Sequence, residues 1–400
     1  MQDHLHELST ALARLGHDVE VVTSCGADGR AEAFEEGVRW HFLPAPAMFF
    51  DPTWQRLLLE RFERLHGERP FDVVHSQSSA ALGLVRAGVH RRVPVVVAFH
   101  GNFLSIVKAS SAHVRRSRRM YTLLKESHAL LKLCGVHFRQ GNWRLFRDCE
   151  AIVPSERQVA DTRRSHLLRS GHVHVVPNGV NAELFRPQPR ADVRRALGLD
   201  DRPLLVSVGR LDSDKGTHLA LRALPRIDAP RVGLVAVGDG SDRERLVALA
   251  RELWLDDRLV LPGRQPAGRV AAYLAAADVF VFPTLLAEAA PLVLLQAMAC
   301  GVPVVASDIG AIPEMLGRDG AAGLLVPPGD LDALVAAVGA LLHDPERRRR
   351  MGEAGRRRVL ESYTVERMAE RTAAVYALAA ERFQASPRSE AAAVRAPRNA

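Results

Sequence analysis

Short apolar runs, most of them rich in valine, recur along the whole chain. They fall at 19–23, 72–75, 93–99, 151–154, 173–176, 204–208, 232–237, 259–261, 279–282, 304–307 and 323–326. Each is of strand length and apolar without strict alternation, the mark of a strand covered on both faces of a sheet. Between most of them lie stretches of helical length with an apolar stripe, such as 4–15 and 242–253. Strands alternating with helices predict an α/β protein, its parallel sheets doubly wound with helices on both sides. Eleven strands exceed one ordinary doubly wound sheet, so the pattern predicts two sheets of five or six strands.

The division between them is set by proline. Pro177, Pro187, Pro189 and Pro203 crowd one stretch after a strand-like run. This gives a first domain at 1–180 and a second at 181–363. A last helix at 364–383 is expected to pack back toward the first domain. The polar, proline-containing tail at 384–400 is expected to be disordered. The opening breaks the pattern. A doubly wound domain begins with a strand near the middle of its sheet, whereas here a helix follows Met1 at once. Loss of a central strand would expose a row of side chains worth about 1.5–3 kcal/mol each. Several such losses rival a whole folding free energy of about 5–15 kcal/mol. The expectation is a first domain lacking its first strand, with a native start upstream of Met1 or a truncated copy.

Composition changes this picture little. The chain is 47% hydrophobic and 25% charged, which excludes disorder as its main state, and 6% aromatic, which suits helices packed on sheets. Charge adds more. Between Gly101 and His172 stand fourteen Lys/Arg against five Asp/Glu, a local +9 within a total of +8. The basic character thus belongs to one segment. In it, residues 113–133 join an arginine cluster to an apolar helical face, a pattern suited to an anionic membrane surface or a phosphorylated acceptor. No nucleic-acid partner is expected. Cys25, Cys134, Cys149 and Cys300 form no CxxC pair or metal spacing and are expected as reduced, mostly buried thiols. The longest uncharged stretch, 289–307, is broken by Pro291, Gln296, Gly301 and Pro303, a poor membrane span. No signal-peptide pattern opens the chain. The expected location is cytoplasmic, with peripheral contact at the inner face of the membrane as an option.

The densest chemical signal follows the strand at 279–282. Glu288 lies in the loop after that strand, where open α/β sheets bind ligands. A helix begins near Leu292, so the amides of its first turn offer an anion site. Gln296 lies about one turn into that helix. A second signal is the strand running into Gly209 and Arg210, with Lys215 and Gly216 opening the next helix. Two cations on a strand-to-helix loop suit two phosphates. Asp212 and Asp214 mimic a DxD metal site, but no third ligand cluster accompanies them, and no metal is expected. Gly238 and Gly240 lack the third glycine of a dinucleotide fingerprint.

Taken together, the segments HLHELSTALARLGHDVEVVTS, FDVVHSQS, PVVVAFHG, AIVPSERQ, VHVVPNGVNAELFRP, SVGRLDSDKG, VGDGSDRERL, PTLLAEAAPLVLLQAMACGVPVVAS and GLLVPPGDLDAL resemble glycosyltransferase family 4, whose members are retaining and have the GT-B fold. The likeness covers residues 1–380. It implies two facing Rossmann-like domains, the second holding a nucleotide-diphosphate sugar and the first an acceptor. No cofactor beyond that co-substrate is implied. Uridine and guanosine diphosphate sugars are the main donors it suggests, and the acceptor is a sugar, a lipid-linked glycan or a small molecule. By the resemblance, Arg210 and Lys215 hold the donor diphosphate, with Gly209 beside them. Glu288 contacts the donor sugar as the first glutamate of an E-x7-E motif. Leu292 and Val293 offer their amides, Gly263 and Arg264 lie against the base, and His100 lies near the transferred sugar. Gln2, His4 and Gly101 fall on the acceptor side, although His4 and His6 read by themselves as helix-surface residues. Gln296 departs from the family by standing where the second glutamate belongs. It keeps one acceptor for the nucleotide ribose and loses the charge, at about 1–2 kcal/mol. The Gly-Gly loop that resembling sequences carry before MQDH would precede Met1.

The reading is a retaining sugar transfer in which cations and a helix N-terminus stabilise the leaving diphosphate. Its alternatives are a degenerate, non-catalytic family member and a same-fold sugar-nucleotide epimerase.

Overall fold

The computed structural model describes residues 2–24, 29–45, 51–100, 146–229 and 231–386. Gly101, Cys25, Cys134, the 113–133 segment and the tail from 387 lie outside the described residues, as does the side chain of Gln2. The chain divides into two compact units, Met1–Pro177 with Met368–Ala400, and Asn178–Arg367.

In chain order the first unit holds α1 (Gln2–Arg14), β1 (Val19–Ser24), β2 (Glu32–Glu35), β3 (Val38–Leu43), α2 (Pro52–Glu68), β4 (Val74–Gln77), α3 (Leu82–Arg86), β5 (Val95–Ala98), β6 (Glu150–Val153), α4 (Glu156–His166) and β7 (Val173–Val175). Local chemistry starts α2. The Asp51 carboxylate accepts from the Trp54 N–H at 2.9 Å, and Pro52 takes a position where no amide donor is needed. Among the described residues these strands form two sheets rather than one. One runs in the order β1-β3-β2 and the other in the order β4-β5-β6-β7. The pairs of the second are all parallel, and β5 and β6 are buried at every position. Strands β2 and β3 are additions to the eleven expected. They form an antiparallel hairpin turned by Glu36 and Gly37, both at positive φ (50° and 82°), the geometry a two-residue hairpin requires. Their residues EAFEEGVRWHFL interleave charge with apolar groups, so no continuous apolar run marks them.

The second unit holds α5 (Arg190–Leu197), β8 (Leu204–Val208), α6 (Thr217–Ala223), β9 (Gly233–Val237), α7 (Arg243–Glu252), β10 (Leu259–Val260), α8 (Ala267–Ala276), β11 (Val279–Phe282), α9 (Leu292–Ala299), β12 (Val304–Ser307), α10 (Ile312–Leu316), β13 (Leu324–Val326), α11 (Leu331–His343) and α12 (Pro345–Ser362). Its six strands are all parallel, in the order β10-β9-β8-β11-β12-β13. Side chains alternate through the sheet. Val206, Phe280 and Phe282 pack with Leu294, Leu295 and Met298 on one face. Leu205, Val279 and Val281 pack with Leu221, Leu224 and Val338 on the other. Both faces are thereby closed, which leaves the strand ends as the places for chemistry. The chain enters and leaves this unit side by side. The Val180 N–H donates to Tyr363 O at 2.9 Å and the Val365 N–H to Val180 O at 3.3 Å. Gly179 permits the approach, since a Cβ there would stand 2.7 Å from Thr364 O. The final helix α13 (Val365–Gln384) leads out of the second unit and runs on into the first.

One buried ion pair ties the start of the second unit to its sheet. Asp278 accepts from Arg194 Nη2 at 2.8 Å, Arg190 Nη1 at 2.7 Å and the Leu204 N–H at 2.8 Å. Arg194 also donates to the carbonyl oxygens of Ala276 and Arg202. Removing the carboxylate strands a buried guanidinium. Asp278→Ala is expected to lower the unfolding free energy of the second unit by about 3–5 kcal/mol, read by urea titration.

Candidate active site

The order of the second sheet sets where a ligand can go. From β8 the chain winds out one way through β9 and β10, then returns to β11 beside β8 and winds out the other way. At such a reversal the loops after the two central strands leave in opposite directions and open a crevice at the carboxyl ends. Those two loops carry Gly209–Lys215 and Pro283–Pro291.

The loops are drawn together by backbone. Leu285 N–H donates to Asp214 O at 2.7 Å. Thr284, fully buried, places Oγ1 at 3.2 Å from Asp214 O and 3.5 Å from Glu288 Oε1, and accepts from the Leu286 N–H at 3.2 Å. Gly216 lies at φ +72°, and a Cβ there would stand 1.9 Å from Pro283 O. Across this seam Lys215 Nζ donates to Glu288 Oε1, with both side chains only 15% exposed. The Glu288 carbonyl accepts from the Ala311 N–H at 2.9 Å. Gly310, at φ +64°, leaves the Glu288 backbone the room a Cβ would take, at 2.4 Å.

The neighbouring loops join the same edge. Gly209 N–H donates to Val237 O and Gly238 N–H to Gly263 O, at 2.9 and 3.0 Å. A Cβ on Gly238 would lie 1.9 Å from Gly209 O, and one on Gly240 2.6 Å from Leu211 O. These two glycines therefore serve close backbone packing. Arg210 is exposed and pairs with Asp212, whose other oxygen accepts from the Ser241 N–H and hydroxyl. Arg264 is exposed on the turn after Gly263. Among the described residues no group of three or more His, Cys, Asp or Glu is arranged to hold a metal ion.

Helix α9 starts behind Pro291 with no side-chain cap. The amides of Leu292 and Val293 have no intrahelical carbonyl to bond, while the Leu294 N–H donates to Pro291 O at 3.0 Å. Leu292, Val293 and Gln296 are partly exposed and share one face, while Leu294, Leu295, Ala297, Met298 and Ala299 are buried. The fold thus gathers Gly209, Arg210, Lys215, Gly263, Glu288, Leu292, Val293 and Gln296 along one edge of one sheet. Thr284 and Gly310 escaped the sequence reading. A hydroxyl just past an apolar strand was the available signal for the first. The second acts only through a backbone contact with another loop.

His100 belongs to the first unit, just past β5. It sits in a chain of polar contacts. His100 Nε2 meets Gln77 Oε1, Gln77 Nε2 meets His75 Nε2 at 3.3 Å, and His75 Nδ1 meets Tyr376 Oη at 2.7 Å. An amide oxygen only accepts, so His100 Nε2 carries the proton and its Nδ1 the lone pair. An amide nitrogen only donates, so His75 bonds Tyr376 through a protonated Nδ1. Against its reading as a surface residue, His4 is 8% exposed and its ring packs edge-on to His100 at 4.6 Å between centroids. The apolar stripe of α1 turns it inward. His6 is half exposed and stacks on Trp40. Burial lowers the pKa values of His75 and His100 to about 4, and burial with the neighbouring imidazoles lowers that of His4 to about 3. Cys149 and Cys300 are buried, and burial pushes the Cys300 thiol up to about 12.

Two family models match the chain, "Glycosyltransferase Family 4" over residues 1–184 and "Glycosyl transferases group 1" over residues 189–358. The GDP-mannose-dependent alpha-(1-6)-phosphatidylinositol monomannoside mannosyltransferase of Mycolicibacterium smegmatis is 32% identical over 347 residues, 83% of this chain and 82% of that protein. The chain belongs to glycosyltransferase family 4. An MMP alpha-(1->4)-mannosyltransferase of Mycolicibacterium hassiacum is 29% identical, covering 96% and 95% of the two chains. Among solved structures, sucrose-phosphate synthase from Thermosynechococcus elongatus superposes with a TM-score of 0.76 at 26% identity, covering 96% of this chain and 94% of that one. The fold is GT-B, as the family resemblance implied.

Buried His4 and the desolvated imidazoles of His75 and His100 make the first unit acid-sensitive. Between about pH 6.5 and 4 the unfolded chain takes up protons that the folded imidazoles refuse. Stability therefore falls as pH falls, by up to about 1.4 kcal/mol per unit for each independent group. Thermal melts from pH 7 to pH 4 are expected to show a falling midpoint for the first unit, and His4→Phe a shallower slope.

Proposed function

We propose that this glycosyltransferase moves a hexose, with retention of anomeric configuration, from a guanosine or uridine diphosphate sugar to an acceptor hydroxyl. The observation that carries the reading is the Lys215–Glu288 pair at the reversal point of the second sheet, beside the uncapped start of α9.

Each group has a chemical task in this reading. Arg210, Lys215 and the amides of Leu292 and Val293 take the negative charge that grows on the diphosphate as the bond to the sugar C1 loosens. These cations supply the charge for which a divalent ion would otherwise serve, and the reading is metal-independent. Glu288, already held by Lys215 and Thr284, accepts hydrogen bonds from donor-sugar hydroxyls. Gln296 accepts from the ribose. The acceptor hydroxyl attacks from the face the diphosphate leaves, and a departing phosphate oxygen takes its proton. A carboxylate neutralised by Lys215 makes a poor general base, which favours this route. The family resemblance assigns His100, with its proton on Nε2, a role at the transferred sugar. His4, Gln2 and Gly101 belong to the acceptor side.

GDP-mannose is the first donor to test, because the M. smegmatis relative is named for it. That relative is also named for a phosphatidylinositol mannoside, and a lipid-linked acceptor fits the basic segment at 101–172. No helix among the described residues is long and apolar enough to cross a membrane. The proposed location is peripheral, on the cytoplasmic face.

The test is calorimetric binding and diphosphate release with GDP-mannose, UDP-glucose and their relatives. One or a few donors are expected to bind saturably, and Lys215→Ala or Arg210→Ala to weaken binding by about ten- to a hundredfold, the loss of one charged hydrogen bond each. Gln296→Glu is expected to tighten it by several-fold. No saturable binding of any donor would leave a non-catalytic family member.

A further inference from the structure

The polar contacts between Tyr376 and His100 are directional, and each link fixes the next. His75 and Gln77 stand two residues apart on β4 and so share one face of its sheet. Tyr376 of α13 reaches that face from a stripe of alanines, Ala373, Ala377 and Ala380. Its ring meets the His75 ring edge-on at 5.7 Å between centroids, and its hydroxyl oxygen lies 2.7 Å from His75 Nδ1. Strand β5 runs beside β4 with Ala98 opposite Gln77, which brings His100, just past β5, within reach of the Gln77 amide.

A neutral imidazole carries one proton on two nitrogens. Burial holds His75 and His100 at pKa values of about 4 and pushes the Tyr376 phenol up. At neutral pH all three are uncharged, and what can change is the position of each proton. The Gln77 amide governs that position, because its oxygen only accepts and its nitrogen only donates. With the oxygen on His100 Nε2, the nitrogen faces His75 Nε2 at 3.3 Å, which must be a lone pair. The His75 proton then sits on Nδ1, and Tyr376 Oη accepts it. Turning the amide over moves every proton. His75 Nε2–H would donate to the amide oxygen, the amide nitrogen would donate to His100 Nε2, and the His100 proton would pass to Nδ1. The chain has these two polarities and no mixed form in which all its hydrogen bonds are made. In the polarity present, Tyr376 is the last acceptor. Without its oxygen the His75 Nδ1–H is a donor left unpaired between the sheet and α13, at a cost greater than the bond itself is worth. Reversal removes that donor and moves the spare N–H to His100, which is partly exposed at the strand end.

We propose that Tyr376, acting through His75 and Gln77, is a positioning residue for sugar transfer: it holds His100 as the Nε2–H tautomer and so makes Nδ1 a hydrogen-bond acceptor. A sugar hydroxyl that meets this nitrogen finds a lone pair and not a proton. The role at the sugar rests on the function proposed above, whereas the tautomer does not.

The test reads the tautomer directly by nitrogen NMR of the 400-residue chain, isotope-labelled at its histidines, at neutral pH. The His100 signals are those missing from His100→Ala. The unaltered chain is expected to carry the His100 proton on Nε2, and Tyr376→Phe to carry it on Nδ1. In Gln77→Glu both carboxylate oxygens accept, so the proton stays on His100 Nε2 whether or not Tyr376 is present. The double variant Tyr376→Phe with Gln77→Glu is therefore expected to return it to Nε2. With a donor that is turned over, Tyr376→Phe is expected to lower kcat about tenfold, the loss of one hydrogen bond, with little change in donor KM. A purely structural tyrosine would lower stability and leave the proton in place. The proposal falls if Tyr376→Phe leaves the His100 tautomer unchanged, or if the double variant fails to restore it. If the proton moves and kcat does not, the role at the sugar falls and the chain only orders the fold. If no donor is turned over by the unaltered chain, the proposed function fails, and the tautomer of Tyr376→Phe still decides whether the chain sets His100.

Discussion

One constraint governs the second unit: a parallel sheet must bury both faces. Strands such as β8 and β11, apolar on both sides, leave no lateral surface for polar chemistry, so it collects where the strands end. Winding then selects one point on that edge. Between β8 and β11 the chain leaves in opposite directions, and the loops that part there bring Lys215 against Glu288. Gly216, Gly238 and Gly310 make the seam possible, because each stands where a Cβ would collide with the backbone of another loop. The ion pair is thus a product of winding and of absent side chains.

In the first unit the described strands form two sheets, and β1 and β4 border a cavity. Tyr376, His75 and Gln77 line it, and they lead on through polar contacts to His100. Burial keeps these imidazoles neutral, and hydrogen bonding decides which nitrogen of each carries the proton. Tyr376 belongs to α13, so the last described helix takes part in fixing the state of a residue beyond β5.

Membership of glycosyltransferase family 4 and the geometry inform each other. The family supplies the expectation of a diphosphate, and the fold places two cations and an uncapped helix on one edge of the second sheet. Gln296 stands on the exposed face of that helix with Leu292 and Val293, so the exchange of a carboxylate for an amide alters charge without moving the group.

The apolar runs were enough to place most of the strands, the helices between them and the parallel class, because burial on both faces writes itself into composition. They also marked Arg210, Lys215, Glu288 and the start of α9, since cations at a strand end and a helix after a buried strand are local signals. The hairpin of β2 and β3 was illegible because a half-exposed strand mixes charge with apolar residues. His4 looked like a surface residue because its periodicity could not tell which stripe of α1 would turn inward. Thr284, Gly310 and the Lys215–Glu288 contact were decided only by tertiary structure. Their partners are far apart in sequence, and distance in space between two loops follows from the order of the strands, which no local pattern encodes.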